Sequence, residues 1–338
     1  MKSKRRMFIK SAAAIAAAPA INLFPVSARA AEFSFKYGNQ VPTNHPVTVG
    51  FQQAVDRIKA ETNGRVEINI FANSALGGDT DMLSQLRTGA LEFFTISPLV
   101  LSSFVSVAAI NGLGFAFKDS DTAWAAMDGD LGEMVRQEIR KRGLTPMDKI
   151  WDGGYRQITS STKPINSAAD LSGFKIRVPV SPLWTSMFKA FGASPTGINF
   201  SEVYSALQTR IVDGQETPLV SIDAAKLYEV QKYCSVTNHM WDGYWCLANT
   251  RAFERMPKDL QEIVARNINR AALDQRKENL RLNDSLQAAL EKKGLVFNKP
   301  DIGSFRAALT KAKFYAEWRE KFGKEAWQLL EKYSGELA

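Results

Sequence analysis

The chain has 338 residues, of which 45% are hydrophobic and 23% charged, with 13 prolines and two cysteines. That balance excludes a disordered chain, a collagen-like repeat and a disulfide-stapled miniprotein, and the length allows two domains around separate cores. The net charge is +8, but the first thirty residues carry six basic and no acidic side chains, leaving about +2, too balanced to favour nucleic acid or an anionic membrane.

Residues 1–30 read as an export leader. Lys2, Lys4, Arg5, Arg6 and Lys10 form a basic start, and an apolar run follows from Ala12 to Phe24. Ala28-Arg29-Ala30 offers the small residues a signal peptidase selects, which places cleavage before Ala31. Pro19 interrupts an apolar run already too short to span a bilayer. KRRMFIK, with Arg5 and Arg6, resembles a twin-arginine signal. The expected compartment is the periplasm, where Cys234 and Cys246 could form a disulfide or remain buried thiols.

After the leader, Phe33–Gly38 alternates as a strand. Val47–Thr62 repeats its apolar residues at helical spacing and closes at Asn63-Gly64. Val66–Ile70 is a second strand, and the helix after ANSALGGD carries Met82, Leu83 and Leu86. The rhythm predicts an α/β fold with mixed, mostly parallel sheets. Leu91–Leu101 reads as a buried strand and a loop, and Thr122–Lys141 as one or two helices around Gly129 and Gly132. A strand leads from Leu144 to Trp151. Ser201–Thr209 reads as a helix capped by Ser201, and strands follow within Leu227–His239 and Trp241–Thr250. Pro257–Lys293 has no interior proline or glycine, so it predicts the longest helix. Helices around 305–314 and 324–333 complete the chain.

Two arginines, Arg156 and Arg177, sit in short apolar, β-prone runs. Phe174, Ile176 and Val178 make the second run a buried strand that Pro179 ends. A buried arginine needs a partner, and its planar fork of donors suits a carboxylate. That carboxylate belongs to an acidic side chain or to a ligand; the reading here favours a ligand.

Catalytic signatures are missing: no nucleophile elbow, HExxH, Walker loop, CxxC pair or zinc ligand set occurs. No cofactor or metal is expected. His45, beside Asn44 and Pro46 at a helix entry, reads first as a cap and second as a ligand contact, and His239 as a strand end. Asp213 and Glu216 lie close together in VDGQETP, where a turn accounts for the aspartate.

The runs RQITSSTKPI, LSGFKIRVPV, GASPTGINFSEVYSALQTRIVDGQETPL and YEVQKYCSVTNH, with FSFKYGNQVPTNHP, NSALGGD and MPKDLQEIV around them, resemble the extracytoplasmic solute-binding subunits of tripartite ATP-independent periplasmic (TRAP) transporters. The likeness extends through nearly the whole chain after the leader. It implies two α/β lobes around a cleft, joined by crossing strands and a long helix spanning both. Lobe I would comprise 31–153 plus 243–282, and lobe II 154–242 plus 283–338. It also implies a monomer that is not an enzyme and that passes an organic acid to membrane permease subunits.

By the same resemblance Arg177 clamps the ligand carboxylate and Arg156 assists. Three departures stand out. The family's asparagine before the proline of a QENP-like turn is Thr217 here. The asparagine that sialic-acid binders carry after RVP is Val180, and their acidic residue after the third strand is Ser97. Gln40, Asp79, Thr217, Phe200, Trp184 and Trp241 complete the expected ligand-binding set. Trp151, Tyr155, Trp184, Phe200, Trp241, Tyr244 and Trp245 all fall in or beside segments resembling cleft walls. The expected ligand is therefore an aromatic or apolar carboxylate or a 2-oxo acid, with a sugar acid or dicarboxylate as the alternative. The rival reading is a periplasmic enzyme acting on an organic acid with His45 or Asp79; a sensor component is a third.

Overall fold

The computed structural model describes residues 30–337, so the leader expected through Arg29 lies outside the described residues. The chain begins with β1 (Phe33–Asn39), α1 (Pro46–Glu61), β2 (Val66–Phe71), α2 (Asp79–Thr88), β3 (Phe93–Ile96) and α3 (Pro98–Leu101). It continues through α4 (Ser120–Asp128), α5 (Asp130–Arg140), β4 (Leu144–Pro146), β5 (Trp151–Ser160), β6 (Lys175–Val178), α6 (Pro182–Ala190) and β7 (Ser194–Gly197). Next come α7 (Val203–Gln208), β8 (Gly214–Pro218), α8 (Leu219–Ala224), β9 (Tyr233–Ser235), β10 (Trp241–Asn249) and α9 (Thr250–Glu254). The last elements are α10 (Lys258–Lys292), β11 (Val296–Asn298), α11 (Ile302–Lys311), α12 (Phe314–Phe322) and α13 (Lys324–Ser334).

Local chemistry accounts for most of these boundaries. At α1, His45 sits in extended backbone and its Nδ1 accepts from the Val47 amide at 3.2 Å, with Pro46 at the first helical position. Val47, Phe51, Ala54, Val55 and Ile58 form the buried face. Gly129 separates α4 from α5. Two details differ from the sequence reading. The segment after β3 is a short helix rather than a loop, because Ser97 caps it and Pro98 opens it. Ser201 caps nothing: it lies exposed in a 3₁₀ turn (Phe200–Glu202) ahead of α7. The Phe200 amide is taken instead by Asp79 Oδ2 at 3.1 Å.

The strand order is β2-β1-β3-β10-β5-β8-β6-β7, with β4 beside β10 and β9 between β5 and β11. β2, β1 and β3 are mutually parallel at one end, and β8, β6 and β7 at the other. Between them run β5 and β10, and every pairing that either makes is antiparallel. These are the crossing strands. Each opens with Trp-Asp-Gly (151–153 and 241–243), and their register shifts between Asp242 and Gly243. Gly154 holds a φ of +90°, a left-handed conformation that a side chain would strain.

Helix α10 is 35 residues long. Its first half packs on α1 through Leu260, Val264, Ile268, Ala271 and Ala272, and its end reaches α8 and β11 through Leu290. The middle is buried yet polar, so its groups must find partners. Gln275 takes the Asp152 amide at 2.9 Å and returns a hydrogen bond to the Asp152 carbonyl at 2.8 Å. Asn279 donates to Asp152 Oδ2 at 2.5 Å. Arg276 reaches the Ile150 carbonyl and holds Asp128 with two parallel bonds, at 2.9 and 2.8 Å. The long helix thus grips β5 where it crosses.

α11 and α12 pack on α6, whereas α13 lies against α4 and α5, which the expected division put in the other lobe. Cys234 in β9 and Cys246 in β10 are free, buried thiols; burial pushes Cys246 up to about 12. Among the described residues no helix is long and apolar enough to cross a membrane.

Candidate ligand-binding cleft

The C-terminal ends of β1, β3, β6 and β8 converge, the place where α/β sheets present ligand-binding groups. The residues after β1 give Gln40 and Val41, and the residue after β3 gives Ser97, with Val100 from α3. β6 and its exit give Arg177 and Pro179, and β8 gives Thr217. Asp79 stands at the first position of α2, Phe200 in the 3₁₀ turn, and Arg156, Asp242 and Tyr244 on the crossing strands. Together they line a cavity of about 20 Å³, room for roughly one ordered water. An organic acid enters only if these walls part.

Arg177 is 2% exposed. Its Nε and Nη2 both donate to the Ile198 carbonyl, at 2.9 and 2.7 Å, and no protein acceptor takes a hydrogen bond from Nη1 among the described residues. Burial, and then the neighbouring Arg156 charge, push the guanidinium down to about 10. It remains a cation at neutral pH with donors to spare.

Arg156 differs. Its Nε and Nη2 donate to Glu216, the latter at 2.7 Å, and Nη1 donates to Asp242 Oδ2 at 2.5 Å. Burial pulls its pKa down, but the two carboxylates outweigh burial and raise it. Glu216 answers to the same balance: burial opposes its charge and Arg156 prevails, holding it below the usual carboxylate range. Asp242 is left raised by burial, although Arg156 and the Ser97 hydroxyl, at 3.1 Å, support it. Arg156 therefore touches the cavity, but acidic side chains satisfy it.

Both histidines are neutral in this setting. His239 lies between Trp184 and Phe188, bonds Thr237 Oγ1 through Nδ1 at 2.7 Å, and donates from Nε2 to Glu216 at 3.1 Å. Burial lowers its pKa. His45 caps α1 with Nδ1, which leaves its proton on Nε2, 3.2 Å from Ser221 Oγ; burial lowers it to about 3.

Of the expected ligand-binding set, Gln40, Asp79, Arg156, Arg177, Phe200 and Thr217 line the cavity. Trp184 and Trp241 do not. Trp184 is buried beneath Arg156, its ring centroid 5.8 Å from the guanidinium carbon. Trp241 spends its indole N–H on Asp152 Oδ1 at 2.7 Å. Trp151 packs on Phe51, Tyr155 donates to the Phe117 carbonyl, and Trp245 is fully buried. Only Phe200 and Tyr244 of the seven aromatics face the cavity, because large rings bury most area inside the crossing-strand core. Val180 lines a separate surface hollow of about 770 Å³ between α6 and α12. The sequence reading missed Asp242 as a cavity residue; the repeated Trp-Asp-Gly triplet was the available signal. Among the described residues no cluster of His, Cys, Asp or Glu could hold a metal ion.

A sheet split around two crossing strands, with a buried arginine at the strand ends whose Nη1 meets no protein acceptor among the described residues, is the architecture of an α/β binding protein. The profile described as "Bacterial extracellular solute-binding protein, family 7" matches residues 37–321. The chain belongs to that family, the extracytoplasmic solute-binding proteins of TRAP transport. It is similar to a solute-binding protein of Roseobacter denitrificans, 31% identical over 90% of this chain and 93% of that one. An uncharacterized protein of Sinorhizobium fredii is 38% identical over 77% of this chain, which spans 48% of the relative's length. Among solved structures, a TRAP periplasmic solute-binding protein from Polaromonas bound to D-erythronate has a TM-score of 0.85 at 28% identity, covering 90% of this chain and 99% of that one. Another, from Sulfurospirillum deleyianum with bound succinate, has a TM-score of 0.84 at 30% identity, covering 90% and 99%.

Proposed function

We propose that this chain is the periplasmic solute-binding subunit of a TRAP transporter and that it captures a small hydroxylated carboxylate, a sugar acid in the broad sense. The single observation that carries the reading is Arg177: buried, charged, and with Nη1 free of protein acceptors among the described residues, beside the cavity. The walls around it are polar rather than aromatic. Gln40 Oε1 and Asp79 Oδ1 are buried acceptors without partners, the complement of ligand hydroxyls. That composition favours a hydroxy acid over the aryl or 2-oxo acid that the aromatic residues had suggested. D-erythronate bound to the Polaromonas protein accords with it.

Capture proceeds by closure. Two lobes meeting along β5 and β10, approximately 31–153 with 243–282 and α13, and 154–242 with 283–323, part to admit the acid and close on it because it contacts both. The closed form is the one that the membrane permease subunits receive.

A thermal-shift panel of D-erythronate, D-glucuronate, D-galacturonate, succinate, benzoate and phenylpyruvate tests the ligand class. Stabilisation by the hydroxy acids is expected; stabilisation by benzoate or phenylpyruvate alone would overturn it. Arg177→Ala should weaken binding of the stabilising acid more than tenfold, about 1.4 kcal/mol. Recovery of the acid unchanged after denaturation separates capture from turnover.

A further inference from the structure

Two buried guanidiniums, Arg156 and Arg177, and three buried carboxyl groups, Asp79, Glu216 and Asp242, meet at the cleft. Glu216 and Asp242 are both committed to Arg156. Arg177 is thus the one guanidinium there with capacity for an incoming anion. Asp79 stands beside it without an ion pair: Oδ2 takes the Phe200 amide, and Oδ1 is buried with no partner.

With all three carboxylates ionised, negative charge already exceeds positive charge by one. A bound carboxylate adds another. Uncompensated buried charge is strongly unfavourable, and a carboxyl group escapes that cost by taking a proton. A proton on Oδ1 would also turn Asp79 from an unpartnered acceptor into a donor facing the ligand.

We propose that Asp79 closes over the ligand as a neutral carboxylic acid, so that the cleft accepts acids with one carboxylate, takes up a proton with each, and rejects dicarboxylates. The inference rests on the cleft being the ligand site. It makes Asp79 a specificity-determining residue that adjusts the charge of the closed site.

The groups facing Asp79 set the balance. Arg177 and the Phe200 amide favour its anion. Asp81 on its own helix opposes it, Tyr244 on β10 faces it as a phenol that burial keeps neutral, and Arg156, Asp242 and Glu216 lie further along the cleft. Burial is the largest influence and raises Asp79 above its ordinary 3.8. When the walls part, solvation returns it toward that value. A group raised in the closed state favours closure at low pH and loses that contribution as pH rises through its closed-state value. Affinity therefore declines with rising pH, by up to about tenfold per unit for one proton. Burial lowers His45 and His239 as well, so any change in their burial on closure would act with the opposite sign.

Titration calorimetry of the full mature chain with D-erythronate and with succinate, from pH 5.5 to 8 in phosphate and in Tris, decides the matter. The buffer dependence of the heat counts protons. D-erythronate should bind with uptake of up to about one proton and weaken as pH rises, and succinate should bind at least tenfold more weakly at pH 7. Asp79→Asn, permanently neutral, should lose both the uptake and the slope and gain affinity at pH 8. D-erythronate binding without proton uptake overturns the inference and leaves the solute-binding reading intact, as does tighter binding of succinate. The wild-type proton count decides even if the variant fails to fold. If no acid of the panel binds, the solute-binding reading fails and this inference with it.

Discussion

Arg156 and Arg177 look alike in the sequence and do opposite work. Arg156 neutralises two buried carboxylates; Arg177 keeps donors in reserve. Removing one cation from a buried network strands its partners, at about 3–5 kcal/mol. Arg156→Ala should therefore lower the free energy of unfolding by about that much in urea titration, whereas Arg177→Ala should lower it far less and abolish ligand stabilisation. Equal losses of stability would contradict the assignment. His45 adds a pH dependence of known sign. Burial lowers it from 6.5 to about 3, so its contribution to stability is complete above pH 6.5 and is lost as pH falls below it, by at most about 1.4 kcal/mol per unit. His45→Asn keeps a capping oxygen and removes the titration. Its urea midpoint should change less than the wild type's between pH 7 and 5.

At the scale of elements, the start of α2 and the turn before α7 touch across the proposed cleft. Asn199 bonds the Thr80 hydroxyl at 3.2 Å, and Asp79 takes the Phe200 amide. Gly78 permits this approach: a Cβ there would meet Asn199 Nδ2 at 2.9 Å. Its backbone, at φ −67° and ψ 173°, suits alanine, so only Asn199 opposes the change. Gly78→Ala should weaken ligand binding by ~3–10-fold, ~0.7–1.4 kcal/mol, and adding Asn199→Gly should restore part of it. An unchanged Kd would mean that the two segments stay apart in the bound form. The elements themselves were largely legible. Helical periodicity located α1 and α10, and a cap and a proline marked their starts. Ser201 misled because its neighbour's amide bonds a residue 121 positions away, which no local pattern encodes.

For the whole molecule, the small volume at the strand ends is decisive. A cavity of about 20 Å³ does not admit a sugar acid, so the proposed binding requires its walls to part. Small-angle scattering should give a larger radius of gyration without ligand than at saturation. Arg177→Ala should not contract at the same acid concentration. Identical radii with and without ligand would remove the hinge from the mechanism.

The sequence by itself determined the run from β1 to α2, the long helix, the family, and the need of Arg177 for a partner outside its apolar strand. Those follow from short-range rules: side-chain period, capping, turn residues, and the cost of a buried cation. Tertiary structure decided which partner each buried group meets. Arg156 finds Glu216 and Asp242, 60 and 86 residues away, because β5 lies between β8 and β10. The same crossing draws Trp184 and Trp241 into the core and leaves Arg177 and Asp79 at the cavity. Electrostatic and packing partners are set by sheet order, and sheet order is a property of the whole chain.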